Sequence, residues 1–324
     1  MRNAIILCLI VVFSVMLFSV KISFAKEKRL DVQFCWIKSA INIFPLISNK
    51  DKYKDKGIDM VLHGTREGSS YAIKMVAAGK MPIAIANAAQ AYAAKNNFLA
   101  NGKKLPIIVV APFYRNTPCC IVYKGTKKKE LSEIGSVAVG LGSTHYLQGK
   151  MLFRKNGINP DDVNWVPTSG GWTGLKMMIA GKAEAAICYV DGLMELEKRN
   201  FDYNYILFRE AGLNIVDMSI IVNTNWLSQN NQILRDYIKT TLDIIYKAKE
   251  EPRKTMKAYI DFYPKRSGDL DLLVSTFKKM NQMISKGKMK KNNWKSTKEV
   301  LIETKRLKKP YMSLDKIYTN KYLD

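Results

Sequence analysis

The chain has 324 residues, 47% of them hydrophobic, and a formal net charge of +24. That size and apolar share exclude a disordered or fibrous chain and point to two domains, or one domain in two lobes. So large a charge raises nucleic acid as a partner, yet the lysines are scattered. They are densest late, at Lys286, Lys288, Lys290, Lys291, Lys295 and Lys298, the pattern of a solvated face, with attraction to an anionic membrane surface as a weaker reading.

The chain opens with the basic start Met1-Arg2-Asn3 and an apolar run from Ala4 to Val20, broken only by Ser14 and Ser19. Ser23-Phe24-Ala25 then places small residues at the −3 and −1 positions of a cleavage site. This layout predicts a secretory signal peptide over residues 1–25, with mature protein from Lys26. An uncleaved anchor is the alternative, since the apolar run has 17 residues, at the short edge of a membrane span. Cys8 lies inside that run and not at its end, where a lipid-attachment cysteine would sit. Export to the periplasm is therefore expected, and it removes nucleic acid as a partner.

Four cysteines remain, Cys35, Cys119, Cys120 and Cys188, each in an apolar stretch. They read as buried thiols, and a bridge between the adjacent Cys119 and Cys120 would be strained. With only His63 and His145 and no CxxC spacing, no metal or other cofactor is expected.

Short apolar runs alternate with helical patterns, the signature of an α/β fold. Strands are predicted at 31–37, 58–63, 81–86 and 106–111, with helices at 41–53, 69–78 and 88–96 between them. The style then repeats. Strands are predicted at 137–140, 163–167 and 185–189, with helices at 144–156 and 174–180. A helix-to-glycine-to-strand turn occurs in both blocks, as Ala77-Ala78-Gly79-Lys80-Met81 and Ile179-Ala180-Gly181-Lys182-Ala183. Two βαβαβ-like blocks, around 30–111 and 136–190, thus predict two similar lobes. The β-rich runs 120–124 and 218–223 flank the second block and suit crossover strands. Long helices follow at 231–249 and 268–284, with another at 296–307.

The two glycine turns, the segment from Leu152 to Val163 (including Lys155, Gly157, Pro160, Asp162) and the ending from Leu307-Lys308-Lys309-Pro310 to Tyr322-Leu323 carry a resemblance. The chain resembles the substrate-binding proteins of ABC importers, in the group that includes nitrate, sulfonate and taurine binders and the thiamine-pyrimidine-precursor (NMT1/THI5-like) proteins. The resemblance implies a periplasmic-binding-protein type II fold. Two α/β lobes would hinge on two strands and close on a small molecule, then dock as a monomer on an inner-membrane permease. It places lobe 1 at 26–117 and 207–324, and lobe 2 at 118–206.

In open α/β sheets, ligands sit beyond the carboxyl ends of the strands, where helix N-termini offer amide donors. After the first strand come Trp36, Lys38 and Ser39. Trp36 suits stacking on a planar ligand or core packing, and Lys38 suits an anion or plain solvent. After the third come Asn87 and Gln90, amides that suit either a polar ligand or helix capping. Tyr114 and Arg115 follow the fourth, and Arg115 offers a bidentate fork to a carboxylate, sulfonate or phosphate. In the second lobe, Ser143, Thr144 and His145 open one helix. Ser169 and Trp172 flank a glycine-rich nest at the next, and Tyr189 and Asp191 follow the last strand. Asp191 suits a ligand amine or ring N–H, or a helix N-cap. The aromatics at these strand ends, Trp36, Phe113, Tyr114, Tyr146, Trp172 and Tyr189, outnumber what a small inorganic anion needs. They favour a planar heterocycle or an aromatic acid, with a sulfonate, taurine or nitrate as the alternative.

Two other classes remain in view. The superfamily includes pyrimidine synthases that consume their own histidine, but Ile85-Ala86-Asn87-Ala88-Ala89-Gln90 holds neither lysine nor histidine at the matching place. Cys119-Cys120 is too short for their cysteine-rich motif, and no nucleophile or paired-carboxylate signature is visible. An enzyme is not expected. A sensor module without a permease is the other alternative.

Overall fold

The computed structural model describes residues 27–141, 143–266, 269–284 and 287–323. The signal-peptide expectation for residues 1–25 lies outside them. Among the described residues, no helix is long and apolar enough to cross a membrane.

Two five-stranded mixed sheets organise the chain, and they are built alike. The first contains β1 (Lys28–Phe34), β2 (Ile58–His63), β3 (Ile83–Asn87), β4 (Ile107–Pro112) and β10 (Met218–Asn223), in the order β2-β1-β3-β10-β4. The second contains β5 (Cys119–Lys124), β6 (Ser136–Val139), β7 (Asn164–Pro167), β8 (Ala185–Tyr189) and β9 (Tyr203–Leu207), in the order β7-β6-β8-β5-β9. In each, three strands of a βαβαβ block run parallel, and one antiparallel strand lies beside the third of them. The pattern of burial follows position. Every residue of the central strands β3 and β10 is buried, whereas β2 alternates buried and half-buried residues, as an edge strand does.

The crossover expectation is refined by this pairing. β5 and β10 do not stand between the lobes; each is a full member of one sheet. The crossings are the short segments 113–118 and 208–217 beside them.

The helices between strands are α1 (Phe44–Ser48), α2 (Asp51–Lys54), α3 (Gly68–Ala77), α4 (Ala88–Ala100), α5 (Thr144–Lys155), α6 (Gly171–Ile179) and α7 (Met194–Glu197). The helix predicted at 41–53 is in fact two. Pro45 starts the first, and the side chains of Ser48 and Asn49 donate to the Pro45 carbonyl at 3.3 and 2.9 Å, an alternative that ends the ladder early. The paired glycine turns behave as read: Gly79 and Gly181 follow α3 and α6 with φ of 72° and 71°, the left-handed region that a Cβ disfavours.

After β10 come α8 (Thr224–Leu227), α9 (Asn231–Glu250), α10 (Pro252–Phe262), α11 (Leu270–Asn281) and α12 (Lys291–Glu303). They pack on both lobes. Lys279 on α11 meets Glu197 on α7 at 3.2 Å, and Glu303 on α12 meets Arg154 on α5 at 3.6 Å. The Val216 N–H on the second crossing donates to Thr297 Oγ1 on α12 at 3.0 Å. One apolar cluster accordingly runs from Val32 and Ile85 of the first sheet to Cys120, Ala138 and Ala186 of the second. A second cluster, including Ile121, Phe153 and Ile187, fills the other face of the second sheet. Cys35, Cys119, Cys120 and Cys188 are each free and buried.

Trp294 anchors α12. It is fully buried, stacked on Tyr318 at 4.7 Å and edge-on to Tyr92 at 6.5 Å. Trp294→Ala should cost about 3–5 kcal/mol, read as a lowered urea midpoint. An unchanged midpoint would show that the anchor carries no stability.

Candidate ligand-binding cleft

The carboxyl ends of β1, β3, β6 and β8 supply most of the residues singled out in the sequence. β1 ends at Phe34, and Trp36 beyond it is 50% exposed. Gly64 lets the backbone close over this turn: a Cβ there would lie 2.9 Å from both the Trp36 carbonyl oxygen and Lys38 Cγ. Lys38 itself is exposed to solvent. Ser39 offers its carbonyl inward, where it accepts from Tyr259 Oη of α10 at 2.9 Å.

Asn87 is the buried N-cap of α4. Its Oδ1 accepts from the Gln90 N–H at 3.0 Å, and its own N–H donates to Ser69 Oγ at 3.0 Å. Its Nδ2 is thereby free to reach elsewhere, and it donates to Asp217 Oδ1 at 3.0 Å. Gln90 accepts from Ser70 Oγ at 3.1 Å and donates through Nε2 to Thr144 Oγ1 in a short hydrogen bond. That last contact joins the first helix turn after β3 to the first turn of α5, so the two lobes touch directly.

On the second lobe, Ser143 caps α5 by accepting from the Tyr146 N–H at 3.2 Å. His145 follows, its ring edge-on to Tyr189 at 4.9 Å. Burial lowers its pKa, which favours the neutral imidazole, and nearby Asp217 pulls the other way. Tyr189 Oη donates to Asp217 Oδ1 at 2.8 Å, and burial pushes its phenol well above the ordinary range. Tyr114 is fully buried beside Phe113, and its pKa too is raised by burial, then by Asp191 and Asp217. Asp191 opens the short turn Val190–Leu193. Burial pushes its carboxyl up to about 6, against the opposing pull of its own N–H and that of Gly192. Ser169 pairs with Thr173 Oγ1 at 2.7 Å, and Trp172 at the start of α6 is 43% exposed, with Lys176 Nζ 5.6 Å from its ring.

The structure thus gathers Asn87, Tyr114, His145 and Tyr189 around the start of β10, links Gln90 to Thr144, and leaves Trp36 and Trp172 exposed on the two lobes. Arg115 is placed otherwise. Its N–H donates to the Met283 carbonyl at 2.9 Å, its carbonyl accepts from Asn293 at 3.3 Å, and its guanidinium lies toward Gly287. The first crossing has already turned toward the C-terminal helices at that residue, so the fork expected for an anion faces them.

The residue missed from sequence is Asp217. It is fully buried at the end of the second crossing, within reach of the Cys35 and Cys119 thiols, and it helps hold Cys35 up at about 11, chiefly an effect of burial. Its signal was present as a lone charge in the apolar run Ile215-Val216-Asp217-Met218-Ser219-Ile220-Ile221. Among the described residues neither Asp191 nor Asp217 forms an ion pair, and no cluster of three or more metal-ligating side chains occurs.

Two sheet-centred lobes joined by two crossings, with capping residues of both meeting at the junction, define the class of two-lobed binding proteins. The chain belongs to the NMT1/THI5 like family, which it matches over residues 41–255. It is similar in structure to the alkanesulfonate-binding protein SsuA of Xanthomonas axonopodis bound to MOPS. The two share 9% identity at a TM-score of 0.70, with 91% of this chain and 100% of that one covered. The aliphatic sulphonate binding protein SsuA of Escherichia coli gives 10% identity and 0.70, covering 92% and 99%. The nitrate-binding protein NrtA of Synechocystis gives 13% identity and 0.63, covering 91% and 86%. Likeness at such identities establishes the periplasmic-binding-protein fold. The neighbours are named for what they bind, and none of these three for a reaction. No curated protein matches the sequence at a significant level.

Asp191 generates a pH prediction. Its folded-state pKa of about 6 lies above the reference 3.8, so the native state holds that proton more tightly than the unfolded chain does. The resulting stability is fully present below the lower value and lost as pH rises through the upper one. Asp191→Asn should therefore gain on the wild type as pH rises from acid to neutral, by at most about 3 kcal/mol. Urea unfolding across that range tests it, and a gap independent of pH refutes it.

Proposed function

We propose that the protein is an exported solute-binding protein that traps a small molecule between its lobes and delivers it, as a monomer, to an inner-membrane ABC permease. The observation that carries this reading is the junction at Asp217, where Asn87 of the first lobe and Tyr189 of the second bond the same carboxylate oxygen. Residues from both lobes meet there only when the lobes are together, as ligand capture by hinge closure requires. The signal-peptide pattern and the neighbours' named roles support a periplasmic setting. The lobes of this trap are 26–117 with 207–324, and 118–206, the C-terminal helices bracing both.

The ligand we favour is a planar heterocycle, such as a pyrimidine precursor, or an aromatic acid. Trp36 and Trp172 support it as exposed stacking faces at strand and helix ends, positions where a large apolar ring is costly to leave in water. A sulfonate or nitrate is the second reading. The neighbours' names favour it, as do the helix starts at Thr144 and Gly171, since the first-turn N–H groups of a helix suit an oxyanion.

Mass spectrometry of the ligand that co-purifies, followed by a thermal-shift panel, tests the proposal. A true ligand at 100 times its Kd should stabilise by about 2.7 kcal/mol. Trp36→Ala should weaken a planar ligand about tenfold, the loss of one stacking partner. Unchanged affinity would remove the stacking role. No stabilisation by pyrimidines, aromatic acids, sulfonates or nitrate would remove the solute-binding reading.

A further inference from the structure

Asp217 holds an unused acceptor. Its carbonyl is satisfied, accepting from the Ala88 N–H at 3.0 Å and from Ser219 Oγ at 3.2 Å. Its Oδ1 takes two donors, Asn87 Nδ2 at 3.0 Å and Tyr189 Oη at 2.8 Å. Its Oδ2 is buried and has no hydrogen-bond partner among the described residues. A carboxylate oxygen removed from water with no donor costs several times what a satisfied one does, and no ion pair among the described residues offsets it.

No neighbouring side chain among the described residues donates to Oδ2, although several carry an O–H, S–H or N–H group. The groups that face Asp217 electrostatically are the Cys35 and Cys119 thiols, the Tyr114 and Tyr189 phenols and the His145 ring, whose burial favours the uncharged form. In a chain of net charge +24, neither Asp191 nor Asp217 has an ion-pair partner among the described residues. An incoming nitrate or unsubstituted alkanesulfonate brings only acceptors and would set like charge against Oδ2.

We propose that Asp217 Oδ2 receives an N–H or ammonium group of the ligand, and that this bond makes closure depend on ligand. The inference rests on the solute-binding reading and narrows it to molecules carrying an amine, an amidine-like edge or a protonated ring nitrogen. Since Oδ1 already ties the two lobes, the empty cleft closes only with Oδ2 left unpaired. A ligand donor removes that penalty and shifts the population to the closed form. Nitrate and simple alkanesulfonates, lacking any donor, do not.

A matched pair of probes decides the point: 4-aminopyrimidine, which has an N–H donor, and 4-methoxypyrimidine, which has none, with benzenesulfonate and nitrate beside them. Binding is read by thermal shift and lobe closure by small-angle scattering. The wild type should bind the amino probe at least about tenfold more tightly than the methoxy probe, the worth of one charge-assisted hydrogen bond. Asp217→Asn keeps an acceptor for Asn87 and Tyr189 but turns Oδ2 into a donor, so the preference should vanish or reverse. If that variant does not fold, the wild-type pair alone decides. Equal binding of the two pyrimidines, no stabilisation by the amino probe, or an unchanged preference in Asp217→Asn overturns the inference. Closure on benzenesulfonate or nitrate also overturns it, yet leaves the solute-binding reading standing. Lobes that close on no probe and retain no ligand would undo that reading instead.

Discussion

Strand β10 is the constraint on which the rest depends. All six of its residues, Met218–Asn223, are buried, and it lies antiparallel between β3 and β4. The chain reaches it only after building the whole second sheet. The first sheet is therefore incomplete until the second has formed, and β4 would otherwise hang apart from β3 with unpaired backbone groups on both. The second sheet makes the matching use of β5, which enters directly from the first lobe and pairs with β8 and β9. Each crossing thus ends in a fully bonded strand, and the junction residues inherit fixed positions from the ladders on either side.

That arrangement explains why a charge can be buried at the hinge. Asp217 immediately precedes β10, so the ladder holds its backbone while Asn87 and Tyr189 hold its side chain. Asn87 is free to do so because its Oδ1 and N–H are already used at the start of α4. The strongly basic composition belongs to the outside of the molecule. The interior of the hinge has the opposite character, with the carboxylates of Asp191 and Asp217 beside phenols and thiols that burial holds neutral. A net charge counted over the whole chain says nothing of the field a ligand meets between the lobes.

Much of the fold was legible in the sequence, because it rests on local signals. Strands 58–63, 185–189 and 218–223 coincide with β2, β8 and β10, since short, largely apolar runs bounded by turns have few other solutions. The caps at Asn87 and Ser143 were among the readings open at those positions, and the structure uses both as caps. The split of 41–53 into α1 and α2 was written less plainly, in the competition of Ser48 and Asn49 for the Pro45 carbonyl. The start of α12 at Lys291, five residues ahead of expectation, had no capping side chain to announce it.

The sequence by itself determined two α/β blocks, their strand and helix periods, the glycine stops and the family. All follow from interactions among residues close in the chain. Only the tertiary structure decided which residues meet. Asn87 and Asp217 are 130 positions apart, and Tyr189 and Asp217 are 28 apart. Arg115 turned toward Met283 and Asn293 for the same reason: the direction of a crossing is set by the helices that pack on it. Distant pairing is chosen by the burial and hydrogen bonding of the whole molecule, and no local period encodes it.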